Sequence, residues 1–309
     1  MRAAPHPLTL RQLQYAVAVA DERSFRRAAE RCHVSQPSLS AQIAELERGL
    51  GVQLFERDKR GVLVTAAGAL LLARARRVLI EADELTEGAQ RLSDPLSGEL
   101  RIGVIPTVAP YLLPEVAMAL REALPRLAFT WVEEKTSTLL ARLANGEIDA
   151  ALVALESELG DVHTDVIGRD AFVLAAAPGH ALAAARGPAG LAELEGAEVL
   201  LLDDGHCFRT QALAVCARAG AAELAFRATS LTTLVQMVAG GAAVTLLPAL
   251  ALPTENRNGA LVVRAFGAKG PARTLALVRR PTSPLAETVS AVAKTLRAVY
   301  AKRDERPRR

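Results

Sequence analysis

Two of the chain's three cysteines, Cys207 and Cys216, stand nine positions apart in the stretch DDGHCFRTQALAVC, residues 203–216. Such a pair can do thiol–disulfide chemistry, and its spacing sets a mechanical condition. The run from Phe208 to Arg218 has helix-forming composition, and a helical step of that length separates two Cα atoms by about 13.5 Å and roughly half a turn. A disulfide needs Cα atoms about 4.4 to 6.8 Å apart. If the segment is helical when reduced, joining the two thiols must unwind it, and a chemical event becomes a change of shape. Two small buried apolar side chains are the other reading of the same residues, and the pair by itself does not choose between them.

The elements that position the pair begin with composition. A length of 309 residues suggests about two domains, and an apolar share of 50% is ample for their cores. No apolar run approaches the roughly 18 residues of a spanning helix, and the start MRAAPHPLTLRQ lacks the apolar centre of a signal peptide. The expected setting is the cytoplasm, away from membranes. There three cysteines form no disulfide framework, and any bridge is expected to be transient and sensing. The histidines at 6, 33, 163, 180 and 206 are scattered, so neither a metal site nor another cofactor is expected. Residues 1–80 carry 13 Lys and Arg against 7 Asp and Glu, a net of +6, which leaves −3 for the remainder of a chain whose total is +3. A basic N-terminal part joined to a mildly acidic remainder points to a nucleic-acid-binding module fused to something else.

That module has its own signals. Leu8 to Ala20 has helical spacing through Leu10, Leu13, Val17 and Ala20. Ser24 reads as the N-cap of a short helix, Phe25 to Cys32, whose Ala28 and Ala29 allow close packing. Ser35 or Gln36 caps a third helix running to about Leu50, with Pro37 at its first position. Its Leu39, Ile43 and Leu46 must face inward, which turns Ser38, Gln42 and Glu45 outward. A short polar face of this kind suits the major groove, where Gln can read a base edge and Ser can reach edges or phosphates. Two short helices and a tight turn make a helix-turn-helix. Asp58 to Gly61 then reads as a turn before a strand at Val62 to Thr65, a hairpin wing whose Arg57, Lys59 and Arg60 can reach phosphate or the minor groove.

The run SFRRAAERCHVSQPSLSAQIAELERGLGVQLFERDKRGVLVTAAG resembles the LysR-type transcriptional regulators throughout. The resemblance implies a winged helix-turn-helix on a dimer, with Gln36, Pro37, Ser38, Ser40 and Gln42 on the recognition helix. It also implies Ser35, Gln36, Ser38 and Gln42 at double-stranded DNA and Arg57 at the wing, and Cys32 reads as a small core side chain. From Thr65 to Ser93 there is no proline, and Leu71, Ala75, Val78, Ala82, Leu85, Ala89 and Leu92 alternate spacings of four and three, a heptad seam that suits a dimerisation helix. Asp94 to Gly98 reads as a hinge.

In the second half, strands at 99–105, 129–133 and 148–155 alternate with helices at 110–124 and 138–144. This predicts a mostly parallel sheet covered on both faces. Ligands bind such sheets outside the strand C-termini, near helix N-termini, where Thr107 and Thr136 stand. A second unit begins near Gly168, with strands at 172–177, 199–202 and 244–247 and a helix to Val238 capped by Thr229-Ser230-Leu231. After strands at 261–266 and 273–278, the helix Pro284 to Ala301 returns to the first unit, and the tail KRDERPRR is expected to be disordered. Two α/β lobes with chain crossovers resemble the periplasmic-binding-protein-like effector domain of the LysR family. The fold class is therefore α/β with an N-terminal all-α winged helix-turn-helix. The expected divisions are a DNA-binding domain at 1–64, a linker and dimerisation helix at 65–94, and an effector domain at 95–309, with lobe I at 98–168 plus 273–309 and lobe II at 169–272.

Over almost the whole chain, GHCFRTQALAVC together with IPTVAPYLLP, FRATSLTTL and TLLPALALP resembles the OxyR branch of that family, whose members sense hydrogen peroxide. The resemblance implies a peroxide-responsive activator of oxidative-stress genes and not an enzyme. It makes Cys207 the peroxidatic thiol and Cys216 its resolving partner, with Thr107, Thr136, His206 and Arg209 lining the peroxide site. It also implies RNA polymerase and a cellular thiol reductant as partners, a homodimer through 65–93, and a homotetramer. A helix N-terminus and Arg209 favour the thiolate that peroxide chemistry requires, while Asp203 and Asp204 oppose it. Thr210 follows Arg209, so the local sequence names no acidic partner for that arginine. Two other functions fit parts of the pattern: a LysR-type regulator answering a small metabolite between its lobes, and a thiol peroxidase, which the N-terminal module makes remote.

Overall fold

The computed structural model describes residues 6–58, 61–91, 96–241, 243–267 and 269–304, and the chain divides into two compact units, Met1–Ser93 and Asp94–Arg309. In the first unit, Thr9 caps α1 (Leu10–Glu22), Ser24 caps α2 (Phe25–Arg31) and Ser35 caps α3 (Gln36–Leu50). Each of these side-chain oxygens accepts from the backbone N–H three residues on. Ala28, Ala29, Leu39, Ile43 and Leu46 are fully buried where the last two helices meet. On α1 the buried stripe includes Leu13, Ala16 and Val19, whereas Leu10 is 47% exposed. Of the expected spacing, Leu13 is buried and Val17 and Ala20 pack against the core, and only Leu10 turns away from it.

The wing is β1 (Phe55–Asp58) paired antiparallel with β2 (Gly61–Val64). Glu47 of α3 docks it, its Oε1 accepting from the backbone N–H of Leu54 at 2.7 Å and of Phe55 at 3.1 Å. The helix α4 (Ala66–Arg91) packs on α1 and adds Leu72 and Ala75 to the core of this unit. Val78 and Leu85, from the expected seam, stay exposed, at 46% and 77%. The connector therefore belongs with the N-terminal unit, and its first turns serve that unit's own core. Leu92, the side chain of Ala89, Asp94 and Pro95 of the expected hinge, the wing-tip Lys59 and Arg60, the first five residues and the tail from 305 all lie outside the described residues.

In the second unit, β3 (Gly98–Val104), β4 (Leu127–Glu133) and β5 (Ala150–Ala154) are parallel in the order β4-β3-β5, linked through α5 (Ala109–Ala123) and α6 (Thr136–Ala144). Every residue of β5 is buried, as a strand covered on both faces requires. The expected mostly parallel sheet ends there. The 14-residue strand β6 (His163–Ala176) pairs antiparallel with β11 (Ala272–Arg279), then with β9 (Thr245–Pro248) and β10 (Val262–Ala265). Because β11 also pairs antiparallel with β5, the sheet is mixed, and β6 runs on from one lobe into the other. The sequence reading starts this strand at Phe172 because the stretch before it is polar and half exposed and carries no apolar run.

The second lobe adds α7 (Ala181–Ala184), β7 (Glu198–Leu202), α8 (Cys207–Ala219), β8 (Ala222–Ala228), α9 (Leu231–Ala239) and α10 (Leu252–Glu255), with β7 and β8 parallel. The helix α11 (Ala286–Asp304) returns against α5 and β6. Its Tyr300 ring lies over Gly168, where an added Cβ would stand 2.4 Å from ring carbon Cδ1. Gly168→Ala is expected to overpack this contact and lower the unfolding free energy by about 1–3 kcal/mol, read from denaturant unfolding of the full chain. Unaltered stability would mean that the ring and strand separate freely.

Candidate functional site: the cleft at Cys207

The segment with both cysteines is one continuous helix: Cys207 is its first residue, and Cys216 lies in the same 13-residue element. The turn delivering Cys207 follows β7, with Gly205 at φ 90°, a conformation that favours glycine, and His206 at the N-cap. Opposite stands the start of α6, with Lys135 as its N-cap and Thr136 as its first residue. Ile105, Pro106, Thr107, Lys135, Thr136, His206 and Cys207 line one cleft of about 160 Å³. Cys207 is half-buried, and its helix points a positive dipole end at this site.

The floor of the site is polar and buried. Arg273 is fully buried, and its Nε donates to Asp170 Oδ2, its cross-strand neighbour, at 3.0 Å. The same guanidinium donates to Thr107, to Oγ1 at 2.6 Å and to the carbonyl at 2.9 Å. It also lies 5.6 Å from the centroid of the Phe208 ring, which meets Phe172 edge-on at 5.0 Å. Thr136 Oγ1 is buried with no protein partner, so its hydroxyl is available to a small ligand in the cleft.

His206 Nε2 lies 3.1 Å from Asp203 Oδ1. Burial, followed by the charge of Lys135, nonetheless depresses its proton affinity, and Asp203 and a backbone bond to Thr229 offset this in part. The imidazole is thereby held neutral at neutral pH. The Cys216 thiol is pushed up by burial and then by the charge of Glu223.

Four of the expected residues, Thr107, Thr136, His206 and Cys207, meet at this cleft, but Arg209 does not line it. Its fork grips Glu223, Nη1 to Oε1 at 2.6 Å and Nη2 to Oε2 at 3.0 Å, while Nε donates to Asp204 at 3.0 Å. Arg227 closes the network on the same two carboxylates. The acidic partners that the local sequence does not name therefore come from β8 and from the turn. Sequence reasoning also missed Lys135, Arg273 and Asp170. Their partners lie far away in the chain, 68 residues for Lys135 to Asp203 and 166 for Arg273 to Thr107. The only local signal was the place of Lys135 beside Thr136.

In the first unit, Ser35, Gln36, Pro37 and Ser38 are exposed at the start of α3, and Ser40 and Gln42 are half-buried. Gln42 Nε2 donates to Glu45 Oε2 at 3.3 Å. Arg57 sits on β1 opposite Val62, and its side chain lies outside the described residues.

Iodoacetamide treatment of the native reduced chain at neutral pH is expected to modify Cys207 roughly tenfold or more faster than Cys216, which is 2% exposed and held as the thiol. Equal rates would contradict the burial described.

Two family descriptions match the chain: "Bacterial regulatory helix-turn-helix protein, lysR family" over residues 10–69, and "LysR substrate binding domain" over residues 93–301. The "DNA-binding transcriptional dual regulator OxyR" of Escherichia coli is 45% identical over 292 residues, 94% of this chain and 95% of that protein. A "Probable hydrogen peroxide-inducible genes activator" of Mycobacterium avium is 46% identical over 277 residues, 89% of each. Among solved structures, a full-length cysteine-to-aspartate variant of OxyR from Pseudomonas aeruginosa has a TM-score of 0.77 at 35% identity, covering 94% of this chain and 95% of that one. A hydrogen-peroxide-bound cysteine-to-serine variant of OxyR from Corynebacterium glutamicum has a TM-score of 0.66 at 36% identity, covering 97% and 94%.

Proposed function

Since the chain belongs to the LysR family of bacterial transcription regulators, within its OxyR branch, we propose that it senses hydrogen peroxide through Cys207 and answers by changing how it binds DNA. One observation carries the reading: Cys207 opens an intact helix beside a small polar cleft, and Cys216 waits buried in that same helix.

The Cys207 thiolate attacks one peroxide oxygen. A sulfur–oxygen bond forms as the oxygen–oxygen bond breaks, the sulfur loses two electrons, and the departing hydroxide takes a proton to become water. The free hydroxyl of Thr136 and the Arg273-held hydroxyl of Thr107 orient the peroxide, and His206 forms the wall beside the sulfur. Arg209 acts one layer out, fixing the turn through Asp204 and Glu223. The sulfenic acid then condenses with the Cys216 thiol, releasing water and forming a disulfide. A helix cannot bridge these positions, so α8 must come apart first. A metabolite in the same place fits less well, because small-molecule sites usually run from about 300 to 1,000 Å³ and this narrow cleft encloses next to no free space.

The rest of the chain acts on that signal. The α3 face with Ser35, Gln36, Pro37, Ser38, Ser40 and Gln42 reads base edges and phosphates of an operator, and Arg57 supports it from the wing. The exposed Val78 and Leu85 on α4 pair two chains through residues 65–93, and two such dimers form a tetramer. This gives a DNA-binding domain at 1–64, a dimerisation helix at 65–94 and an effector domain at 95–309, with lobes at 98–168 plus 273–309 and at 169–272. The protein works in the cytoplasm as an activator acting through RNA polymerase, and a cellular thiol reductant resets it. Each peroxide is spent as a stoichiometric signal and not in turnover.

Peroxide at low dose, followed by mass mapping, is expected to link Cys207 to Cys216, and Cys207→Ser is expected to abolish the peroxide-dependent change in the DNA footprint. A footprint that still responds in Cys207→Ser would sink the proposal.

A further inference from the structure

Asp203 and Asp204 stand four and three residues before Cys207. An anion beside a thiol that must ionise works against it, so the fate of these two charges bears on the sensing reaction. Asp204 is neutralised by Arg209 at 3.0 Å and by Arg227 at 2.7 Å, and neither arginine lines the cleft. Asp203 pairs with two groups that do line it: His206 at 3.1 Å and Lys135 at 3.2 Å. Of the two, Lys135 brings a full positive charge to Asp203.

Lys135 reaches this point from the other lobe. It caps α6 next to Thr136, and its side chain crosses to the turn ahead of α8, donating to the Asp204 carbonyl at 2.7 Å. Its stem lies against Gly205 so closely that a Cβ there would stand 2.9 Å from Lys135 Cδ. The ammonium thus holds the first two residues of the turn that presents His206 and Cys207, and 35% of the side chain remains exposed.

We propose that Lys135 is a positioning residue of the peroxide reaction: it straps the Cys207 turn to the Thr136 wall and cancels the Asp203 charge, so that the sulfur can ionise where peroxide binds. The inference rests on the reading of Cys207 as the peroxide-reacting thiol. The charged and ionisable groups at the cleft beside Cys207 are Lys135 from α6, His206 and the Asp203 paired to both from the turn, and the Arg273–Asp170 pair beneath Thr107 from β11 and β6; Thr107 and Thr136 are neutral. With Lys135 removed, the net charge at the cleft falls by one at neutral pH. The reaction with peroxide then slows.

The test uses the full chain carrying Cys216→Ser, so that oxidation stops at sulfenic acid, trapped by dimedone and counted by mass spectrometry across the neutral pH range. Lys135→Gln keeps a hydrogen-bond donor but loses the charge, and is expected to react about tenfold more slowly at neutral pH, about 1.4 kcal/mol in the barrier. The midpoint of its rate rise should move to higher pH, and Lys135→Arg should recover most of the rate. A Gln variant matching the parent in rate and midpoint would overturn the proposal. So would Gln and Arg variants that are equally slow with an unmoved midpoint, since that pattern belongs to turn geometry alone. Thermal unfolding of all three proteins separates these outcomes from misfolding. If the parent chain itself forms no sulfenic acid at Cys207, the peroxide reading beneath the inference fails, and that failure is read from the parent arm alone.

Discussion

A helix and a disulfide make incompatible demands on the same residues. Along α8, two positions nine apart lie about 13.5 Å from each other, two to three times the reach of a disulfide, so the reduced helix and the oxidised bridge exclude one another. The helix is only partly secured by its own residues. Ala212, Leu213, Ala214, Ala217 and Ala219 are good helix formers, whereas Phe208, Thr210, Val215 and the two cysteines are indifferent ones, and Gln211 is buried with neither side-chain amide atom bonded to protein. Packing supplies what propensity does not: Phe208, Ala212, Val215, Cys216 and Ala219 are all buried on the effector core. A refolding cost of about 4 kcal/mol would raise the potential of the bridge by roughly 90 mV, enough to bring it from structural values towards the reach of a thiol pool. The strain that makes the signal also makes it reversible.

The same core couples the cleft to the fold. Arg273 and Asp170 are cross-strand partners on β11 and β6, the strands that carry the sheet from one lobe to the other. From this buried pair one guanidinium holds Thr107 at the cleft and lies against Phe208, the second residue of α8. Loss of α8 would remove the ring from that guanidinium while leaving its carboxylate partner in place. The pair is therefore a fixed floor on which the helix can be made or unmade, and a buried charge that keeps its partner escapes the large penalty of an orphaned one.

What the sequence made legible was local. The serine caps, the inward face of Leu39, Ile43 and Leu46, and the helix over Phe208 to Arg218 all depend on residues within a few turns of each other, where propensity and periodicity act. The first lobe's strands and helices read correctly for the same reason. The first half of β6 did not, because its outer residues are polar, and β8 did not, because AELAFRA lies on a partly exposed sheet with no clear alternation. The seam on α4 divided between two duties: Ala75 went to the core of its own unit, while Val78 and Leu85 stayed exposed. Site electrostatics was the least legible part. Arg209 finds Glu223 on β8, Lys135 finds Asp203 across the cleft, and Arg273 finds Thr107 from the far end of the domain; each pairing exists only once the chain has folded.

Amide hydrogen exchange over residues 207–219, compared between reduced and peroxide-treated full-length protein, tests most directly whether chemistry at Cys207 is read out as loss of helix. The account predicts strong protection along the whole segment when reduced, and its loss there on oxidation, with protection retained in β6 and β11 beneath. Equal protection of 207–219 in both states, with a Cys207–Cys216 bridge confirmed in the oxidised sample, would contradict it.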